Sequence, residues 1–438
     1  MRIRRRTAAL AAALLTSVLA VAGCGSTKDN GTAANAGKPN ANGPVTLNVR
    51  LFGTFGYKEA GLFDAYHKAH PNVTVNYSSI EQEQNYFPVL QQNLNAAKGQ
   101  IDVAGIEVGR IADVTQNLSA KFTDLKALGA ASEEGNFYPW KWKAATTRDG
   151  KVVGLGTDIG PIAIAYRTDL FKQAGLPANR DELAKRWTSW DAFLAMGEQY
   201  KARMGTKSAF VDTASGLYNT ILGGSVKQYY DESGNPVYDS NPAVRQAWDT
   251  AVKAIRSGLT GKVKQFDDAW NKGFASGSFA TVGAPSWMIG YIKGQAGDAG
   301  SGKWDIVPGP NAANWGGSYL AIPKNSQHPN EAYELVKWLT AAPQQVTLFK
   351  KGGNFPSNSV AAADPAVSGY AEPYFNNAPT GKIFGEVAAK LPVAIVGPKD
   401  GTIKDMISNG LLSIETQGKS PDEAWQATLK NIKNAIGS

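Results

Sequence analysis

The chain has 438 residues, a formal net charge of +8 and a single cysteine. It is too long for one ordinary hydrophobic core, so we expect two lobes. The basic residues are dispersed, which disfavours a nucleic-acid site, and a single cysteine excludes a disulfide within the chain.

The first 23 residues have the layout of a secretory signal peptide. Basic residues up to Arg6 precede an apolar run, Ala8 to Ala22, which at about 15 residues is too short for a membrane-spanning helix. The junction Val21-Ala22-Gly23-Cys24 resembles the bacterial lipobox, so we expect lipidation of Cys24, with palmitate among its acyl chains. Removal of the signal lowers the formal charge from +8 to +4.

Residues 24–44 are expected to be the lipidated cysteine and a flexible tether. The segment GSTKDNGTAANAGKPNANGP contains no large apolar side chain. Such a composition cannot bury enough surface to offset the entropy lost on ordering.

The next segment predicts a parallel sheet. Val45 to Phe52 alternates apolar and polar residues as a strand does, and Glu59 to His70 has helical spacing that ends at Pro71. A second strand, Val73 to Tyr77, follows at once. The order strand, helix, strand indicates a βαβ unit.

Similar elements continue along the chain. We predict strands near 101–106, 152–155, 162–166, 279–282 and 304–307, and helices over 86–98, 168–174, 329–339 and 420–436. The segment from Trp187 to Val263 is mainly helical by pattern. The last helix begins with Ser420-Pro-Asp-Glu423, a sequence that favours an N-cap.

Seven ordered segments together resemble family 1 of the extracellular solute-binding proteins, the maltose-binding-protein group that serves ABC importers. The resemblance covers nearly all of residues 45–438. The aromatic-rich details are most similar to actinobacterial cello-oligosaccharide-binding lipoproteins. The segments are FDAYHKAHPNVTV, GKVVGLGTDIGPIAIAYRTDLFKQAGL, WTSWDAF, FASGSFATVGAPSW, GGSYLAIPKNSQHPNEAYELVKWL, GGNFPS and SPDEAWQATLKNIKNA.

This resemblance implies a two-lobe α/β fold of the periplasmic-binding-protein type, with several hinge crossings and a ligand cleft between the lobes. Carried onto this sequence, the crossings lie near 162–165, 320–323 and 353–357. The expected lobes are residues 45–161 plus 322–354, and residues 162–321 plus 355–438. The implied protein is a monomer on the extracellular face of the cell membrane, held by its lipid anchor alone, and its partners are an oligosaccharide and the permease subunits of an importer.

A sugar site needs flat aromatic rings for the pyranose faces. Trp287 follows a predicted strand through a turn and matches the tryptophan that stacks on sugar in many relatives. Trp315 lies beside a predicted crossing among polar and small residues. Phe52, Phe55 and Tyr57 lie at and beyond the end of the first strand, where open α/β sheets place ligands; we expect one of the three, Tyr57, to stack on the sugar and the others to pack. Tyr218 matches roughly an aromatic position of relatives. Core packing is the alternative for each.

Polar groups are needed for the sugar hydroxyls around the ring. Asp158 precedes the first crossing, Glu107 ends a predicted strand, Gln84 follows the second strand, and Asn354 lies in GGNFPS. For each of these residues a solvated or turn-capping role is the alternative. The best-fitting ligands are cellobiose and cellotriose, which are flat and have equatorial hydroxyls.

Two other classes of function are weighed against sugar binding. A secreted glycoside hydrolase also uses aromatic clefts with Asp and Glu, but no catalytic signature is present, so we predict no enzyme. A receptor for a non-sugar solute would need an Arg cluster or a His and carboxylate site. The sequence indicates no metal site and no cofactor.

Overall fold

The computed structural model describes residues 43–437. Cys24 and the predicted signal peptide lie outside the described residues, as does nearly all of the tether. Among residues 43–437, no helix is both long enough and apolar enough to cross a membrane.

The strands come in chain order as follows: β1 Val45–Phe52, β2 Val73–Ile80, β3 Val103–Glu107, β4 Leu155–Gly156, β5 Asp158–Ile159, β6 Ile162–Arg167, β7 Ala209–Val211, β8 Phe279–Pro285, β9 Trp304–Pro308, β10 Ser318–Ala321 and β11 Phe355–Pro356.

The helices are α1 Leu62–Ala69, α2 Glu83–Asn95, α3 Val108–Gln116, α4 Pro139–Ala144, α5 Thr168–Gln173, α6 Arg180–Arg186, α7 Trp190–Met204, α8 Ala214–Leu222, α9 Pro242–Arg256, α10 Asp268–Ser276, α11 Met288–Ala296, α12 Pro329–Thr340, α13 Ala342–Gly352, α14 Ser359–Ala363, α15 Pro365–Ser368, α16 Thr380–Ala388, α17 Asp400–Gln417 and α18 Pro421–Ile436. Short 3-10 turns occur at Ser119–Lys121, Leu125–Leu128, Ala130–Asn136, Asp298–Gly300 and Pro373–Phe375.

The first sheet has the strand order β2-β1-β3-β10-β4. β1 runs parallel to both β2 and β3, and β10 runs antiparallel to β3 and β4. Leu47, Val49 and Leu51 alternate along β1 and are completely or almost completely buried, as the period of two in a strand requires. Their shared core also includes α1 and α12.

The second sheet has the order β7-β8-β6-β9, with β6 antiparallel to both β8 and β9. Every residue of β6 is buried, because this central strand is covered on both faces. Helices α8, α9, α17 and α18 share a further apolar core beside this sheet. The α/β fold class is therefore confirmed.

The chain passes from the first sheet to the second between Gly156 and Ile162, and returns between Pro308 and Ser318. A small antiparallel pair, β5 with β11, lies at the crossings. The expected second crossing at 320–323, and the assignment of 318–321 to the second lobe, are wrong. These residues form β10, which pairs with β3 in the first sheet.

The segment from Trp187 to Val263 is mainly helical, as predicted. It also contains the three-residue strand β7, whose partner β8 lies far along the chain. One further prediction needs correction. The strand expected at 152–155 contributes only Leu155 and Gly156 to the sheet.

Candidate functional site

A cleft of about 970 Å³ lies between the two sheets. From the first sheet it is lined by the segments that follow the carboxyl ends of β1, β2 and β3, at 52–56, 81–84 and 107–110. Open α/β sheets place ligands at this edge. The opposite wall is formed by residues of α8, α11, α17 and the segment before α10.

Three aromatic side chains form one wall of this cleft, and we call Phe266, Trp287 and Trp315 the aromatic wall. All three rings are half-buried and line the cleft. The Trp287 and Trp315 rings are 5.8 Å apart at 77°, and Phe266 lies 6.5 Å from each of them. Flat apolar faces are thus available beside polar groups, which is the composition expected of a site for a small organic ligand.

Local structure fixes the orientation of Trp287. It is the residue before α11, directly after the turn that ends β8, and its Nε1 donates to the Trp315 carbonyl oxygen at 3.1 Å. Gly316 has a φ of +107°, and a Cβ there would lie 2.6 Å from Trp287 Nε1. A side chain at position 316 would therefore displace the indole.

The structure contradicts the prediction that Tyr57 faces the cleft. Tyr57 is 1% exposed and packs in the first core beside Phe55 and Phe63. Its neighbours Phe52 and Phe55 line the cleft instead. Gly56 has a φ of +83°, and after this turn the Tyr57 side chain enters the core, a direction that the sequence alone did not reveal.

Tyr218 was also predicted wrongly. It is completely buried, and its hydroxyl donates to the Tyr229 hydroxyl at 3.3 Å. Ser215, Asn219 and Leu222 of the same helix line the cleft. Successive residues of a helix are rotated by about 100°, so position 218 faces the core when position 219 faces the cleft.

Asp158 lies at the floor of the cleft and connects two crossings. Its Oδ1 accepts from the Thr157 hydroxyl at 2.6 Å and from the Ser318 backbone N–H at 3.0 Å. Burial raises the pKa of this carboxyl, while the charge of buried Lys141 opposes the rise. Since both hydrogen bonds end on Oδ1, Oδ2 is the oxygen that can accept from a ligand hydroxyl.

The other three predicted polar residues also line the cleft. Glu107 caps α3, since its Oε2 accepts from the Gly109 N–H at 2.6 Å. Gln84 is exposed and donates to Gln82 Oε1 at 3.1 Å. Asn354 lies beside the β11 crossing. The structure brings these side chains to one cleft, and their contact with a ligand stays a prediction.

Sequence reasoning missed a set of contacts across the cleft. Arg110 of α3 pairs with Glu83 at 3.1 Å and reaches Asp405 of α17 at 3.8 Å. The Asp405 side chain is 50% exposed, so this second pair contributes little by itself. The approach of the two helices is closer at Gly401, where a Cβ would lie 2.9 Å from the Arg110 guanidinium carbon.

Phe266 and Lys404 were also missed. Phe266 has a backbone φ of +68°, a rare value for a bulky residue, and Lys404 Nζ lies 4.8 Å from the centre of the Trp315 ring. No sequence signal points to the φ value of Phe266, because it results from contacts with distant residues. Among residues 43–437, no group of three His, Cys, Asp or Glu side chains could hold a metal ion.

Comparison with known proteins gives consistent matches. The family model described as bacterial extracellular solute-binding protein matches residues 61–376. A solved structure described as extracellular solute-binding protein family 1 is 38% identical, with a TM-score of 0.76, and the match covers 90% of this chain and all of that one.

Two curated relatives are more distant. The lactose-binding protein of Rhizobium radiobacter is 27% identical over 203 residues, 44% of this chain, and the match spans only 47% of that protein. The arabinooligosaccharide-binding protein of Bacillus subtilis is 20% identical over 351 residues, 76% of each chain. Both names describe proteins that bind sugars.

Proposed function

Because this chain belongs to the family of bacterial extracellular solute-binding proteins, we propose that it is the sugar-binding component of an ABC importer. It captures an oligosaccharide between its two lobes and releases it unchanged to the permease. The relatives named for lactose and arabinooligosaccharide binding support a sugar as the ligand.

The observation that carries this proposal is the aromatic wall. Its rings combine flat apolar faces with cleft exposure, while Asp158, Glu107, Gln84 and Asn354 offer polar groups nearby. A pyranose has apolar C–H groups on its faces and hydroxyls around its rim, so it can use both kinds of contact. The ring faces would supply most of the affinity and the polar groups the orientation.

For the ligand itself, a β-linked glucan such as cellobiose or cellotriose fits best. Its rings are flat and its hydroxyls equatorial, so that one sugar unit can lie flat on the Trp287 indole while the Trp315 ring, at 77° to that indole, borders the same unit. The resemblance of the sequence to cello-oligosaccharide-binding lipoproteins supports the same choice.

Binding is coupled to closure of the lobes. Lobe 1 is residues 45–161 plus 318–354 and lobe 2 is residues 162–317 plus 355–438, with 318–321 assigned by the pairing of β10. A ligand that contacts both walls stabilises the closed form by the free energy of the contacts that it makes only in that form. The contact of Arg110 in α3 with Asp405 in α17 joins opposite walls of the cleft.

The protein is held at the extracellular face of the cell membrane through lipidated Cys24 and acts as a monomer. The sequence of the lipobox-like junction supports the anchor. Acyl chains contribute about 0.8 kcal/mol per buried CH₂, so more than one chain on this cysteine retains the domain at the surface.

Calorimetry tests the proposal after a thermal-shift screen with cellobiose, cellotriose, maltose, xylobiose and raffinose, since only a bound sugar raises the melting temperature. We expect Trp287→Ala to weaken binding of the best sugar at least about tenfold. Trp190→Ala is the matched control, because Trp190 is also half-buried but donates to Asn311, away from the cleft. Equal affinity of wild type and Trp287→Ala would contradict the proposal.

A further inference from the structure

The segment between α9 and α10 has an unusual backbone. Lys262 has a φ of +56° and Phe266 a φ of +68°. Such values are unfavourable for residues with a Cβ and persist only where surrounding contacts impose them. The contacts that impose them at Phe266 are therefore of interest, because Phe266 belongs to the aromatic wall.

A completely buried carboxylate, Asp212, provides these contacts. Its Oδ2 accepts from Gln265 Nε2 at 2.9 Å and from Trp270 Nε1 at 2.8 Å. The two donors flank Phe266 in the chain, and the Trp270 ring lies 5.0 Å from the Phe266 ring. Hydrogen bonds to an ionised carboxylate are stronger than neutral ones, so Asp212 restrains the chain on both sides of Phe266.

Phe266 connects the restrained segment to the cleft through contacts of its ring. Its ring contacts three cleft-lining aromatic residues, with centroid distances of 6.5 Å to Trp287, 6.5 Å to Trp315 and 5.8 Å to Tyr291. A change in the 262–266 backbone would therefore alter the spacing of the rings across the wall. Asp212 itself does not line the cleft.

We propose that Asp212 is a positioning residue for ligand binding: through Gln265 and Trp270 it holds Phe266 in its left-handed backbone conformation and so sets the geometry of the aromatic wall. This inference rests on the proposed function for its effect on sugar affinity, but the effect on the wall is independent of any ligand.

A ligand-free experiment tests the effect on the wall. The protein is labelled with fluorotryptophan, and the fluorine NMR signals of Trp287 and Trp315 are assigned by replacing each with Phe. We expect Asp212→Asn, which removes the negative charge that strengthens both hydrogen bonds, to shift or broaden both signals. Gln265→Met, which removes one donor and keeps Asp212, should shift them in the same direction if Asp212→Asn fails to fold.

Asp102→Asn is the matched control. Asp102 is 4% exposed and also joins separate chain segments, accepting from the Asn48 N–H and the Ser326 hydroxyl, but it does not line the cleft. The control should leave both tryptophan signals in place even where it lowers the melting temperature. Unchanged signals in both Asp212→Asn and Gln265→Met would overturn the inference.

A double-mutant cycle tests the route through Phe266. With the sugar selected by the thermal-shift screen, we expect Asp212→Asn to weaken binding about tenfold in the wild-type background and by less than about twofold in Phe266→Ala. Equal weakening in the two backgrounds would overturn the route. If no sugar binds the wild type, the proposed function fails, while the fluorine spectra still decide the role of Asp212.

Discussion

Trp287 and Trp315 contribute differently to the wall that they share. The Trp315 carbonyl accepts the Trp287 indole N–H, and the Trp315 ring already contacts Lys404 Nζ at 4.8 Å. Among residues 43–437, no Lys or Arg lies over the Trp287 ring, which lines the cleft and meets Phe266 in a nearly parallel stack at 23°. We therefore expect Trp287 to contribute more to affinity than Trp315.

A substitution at Gly316 tests how tightly the aromatic wall is packed. We expect Gly316→Ala to lower stability by about 1 to 2 kcal/mol, since the backbone is left-handed there, and to weaken sugar binding because the new Cβ meets Trp287 Nε1. Chemical denaturation and calorimetry measure the two effects. Gly234→Ala is the control: its φ is +82° with open space around it, so stability should fall without loss of affinity.

The buried carboxyl of Asp400 is expected to make the free energy of unfolding depend on pH. Burial raises the pKa of this cleft carboxyl from its ordinary 3.8 to about 7. The folded state therefore holds a proton that the unfolded state releases, and the stabilisation present below about pH 4 is lost as the pH rises through 7. Asp400→Asn should remove this loss, measured as the difference in the free energy of unfolding from wild type across that range. A difference that is the same at every pH would contradict the assignment.

At the level of single residues, the sequence predicted cleft-lining side chains when they follow a turn or lie beside a crossing, as Trp287 and Trp315 do. It was wrong for Tyr57 and Tyr218, where the direction of a side chain depends on the rotation of a helix or the exit angle of a turn. Neither quantity is encoded in local composition. Phe266 and Asp212 were out of reach because their relationship joins residues more than 50 positions apart.

At the level of elements, local signals predicted the bounds of α5, α12 and α18 to within one residue, but they placed α2 at 86–98 instead of Glu83–Asn95. The predicted capping of the last helix is confirmed: the Ser420 hydroxyl accepts from the Glu423 N–H at 3.2 Å and Pro421 occupies the first turn. Strand partners were harder, since β10 and β7 owe their places to β3 and β8, which are distant in sequence. An apolar run shows that a strand is buried without showing which sheet receives it.

The cap of α18 gives a prediction for one element. We expect Ser420→Ala to destabilise the protein by about 1 kcal/mol, the usual cost of losing an N-cap. Sugar affinity should stay at the wild-type value because the cap does not line the cleft. Urea denaturation measures the first effect and calorimetry the second, and a loss of affinity without loss of stability would contradict this separation.

At the level of the whole molecule, the proposed function requires that the lobes close on the ligand. Gly401 permits the approach of α17 to Arg110 of α3, since a Cβ there would lie 2.9 Å from the Arg110 guanidinium carbon. We expect Gly401→Val to keep these helices apart, favour an open form and weaken sugar binding about tenfold or more. Small-angle X-ray scattering with sugar present should then show a larger radius of gyration than for wild type.

Thr402→Val is the matched control for that variant, since position 402 lies on the same turn of α17 but outside the cleft lining. It should close as the wild type does. A Gly401→Val protein that compacts on sugar addition as fully as the control would show that this contact does not govern closure.

The most direct test is a crystal structure of the protein with the sugar that gives the largest thermal shift. We expect a sugar ring lying flat against Trp287, with hydroxyls directed to cleft side chains such as Asp158 and both lobes in contact with the ligand. A sugar bound elsewhere, or in the cleft without contact to the aromatic wall, would contradict this expectation.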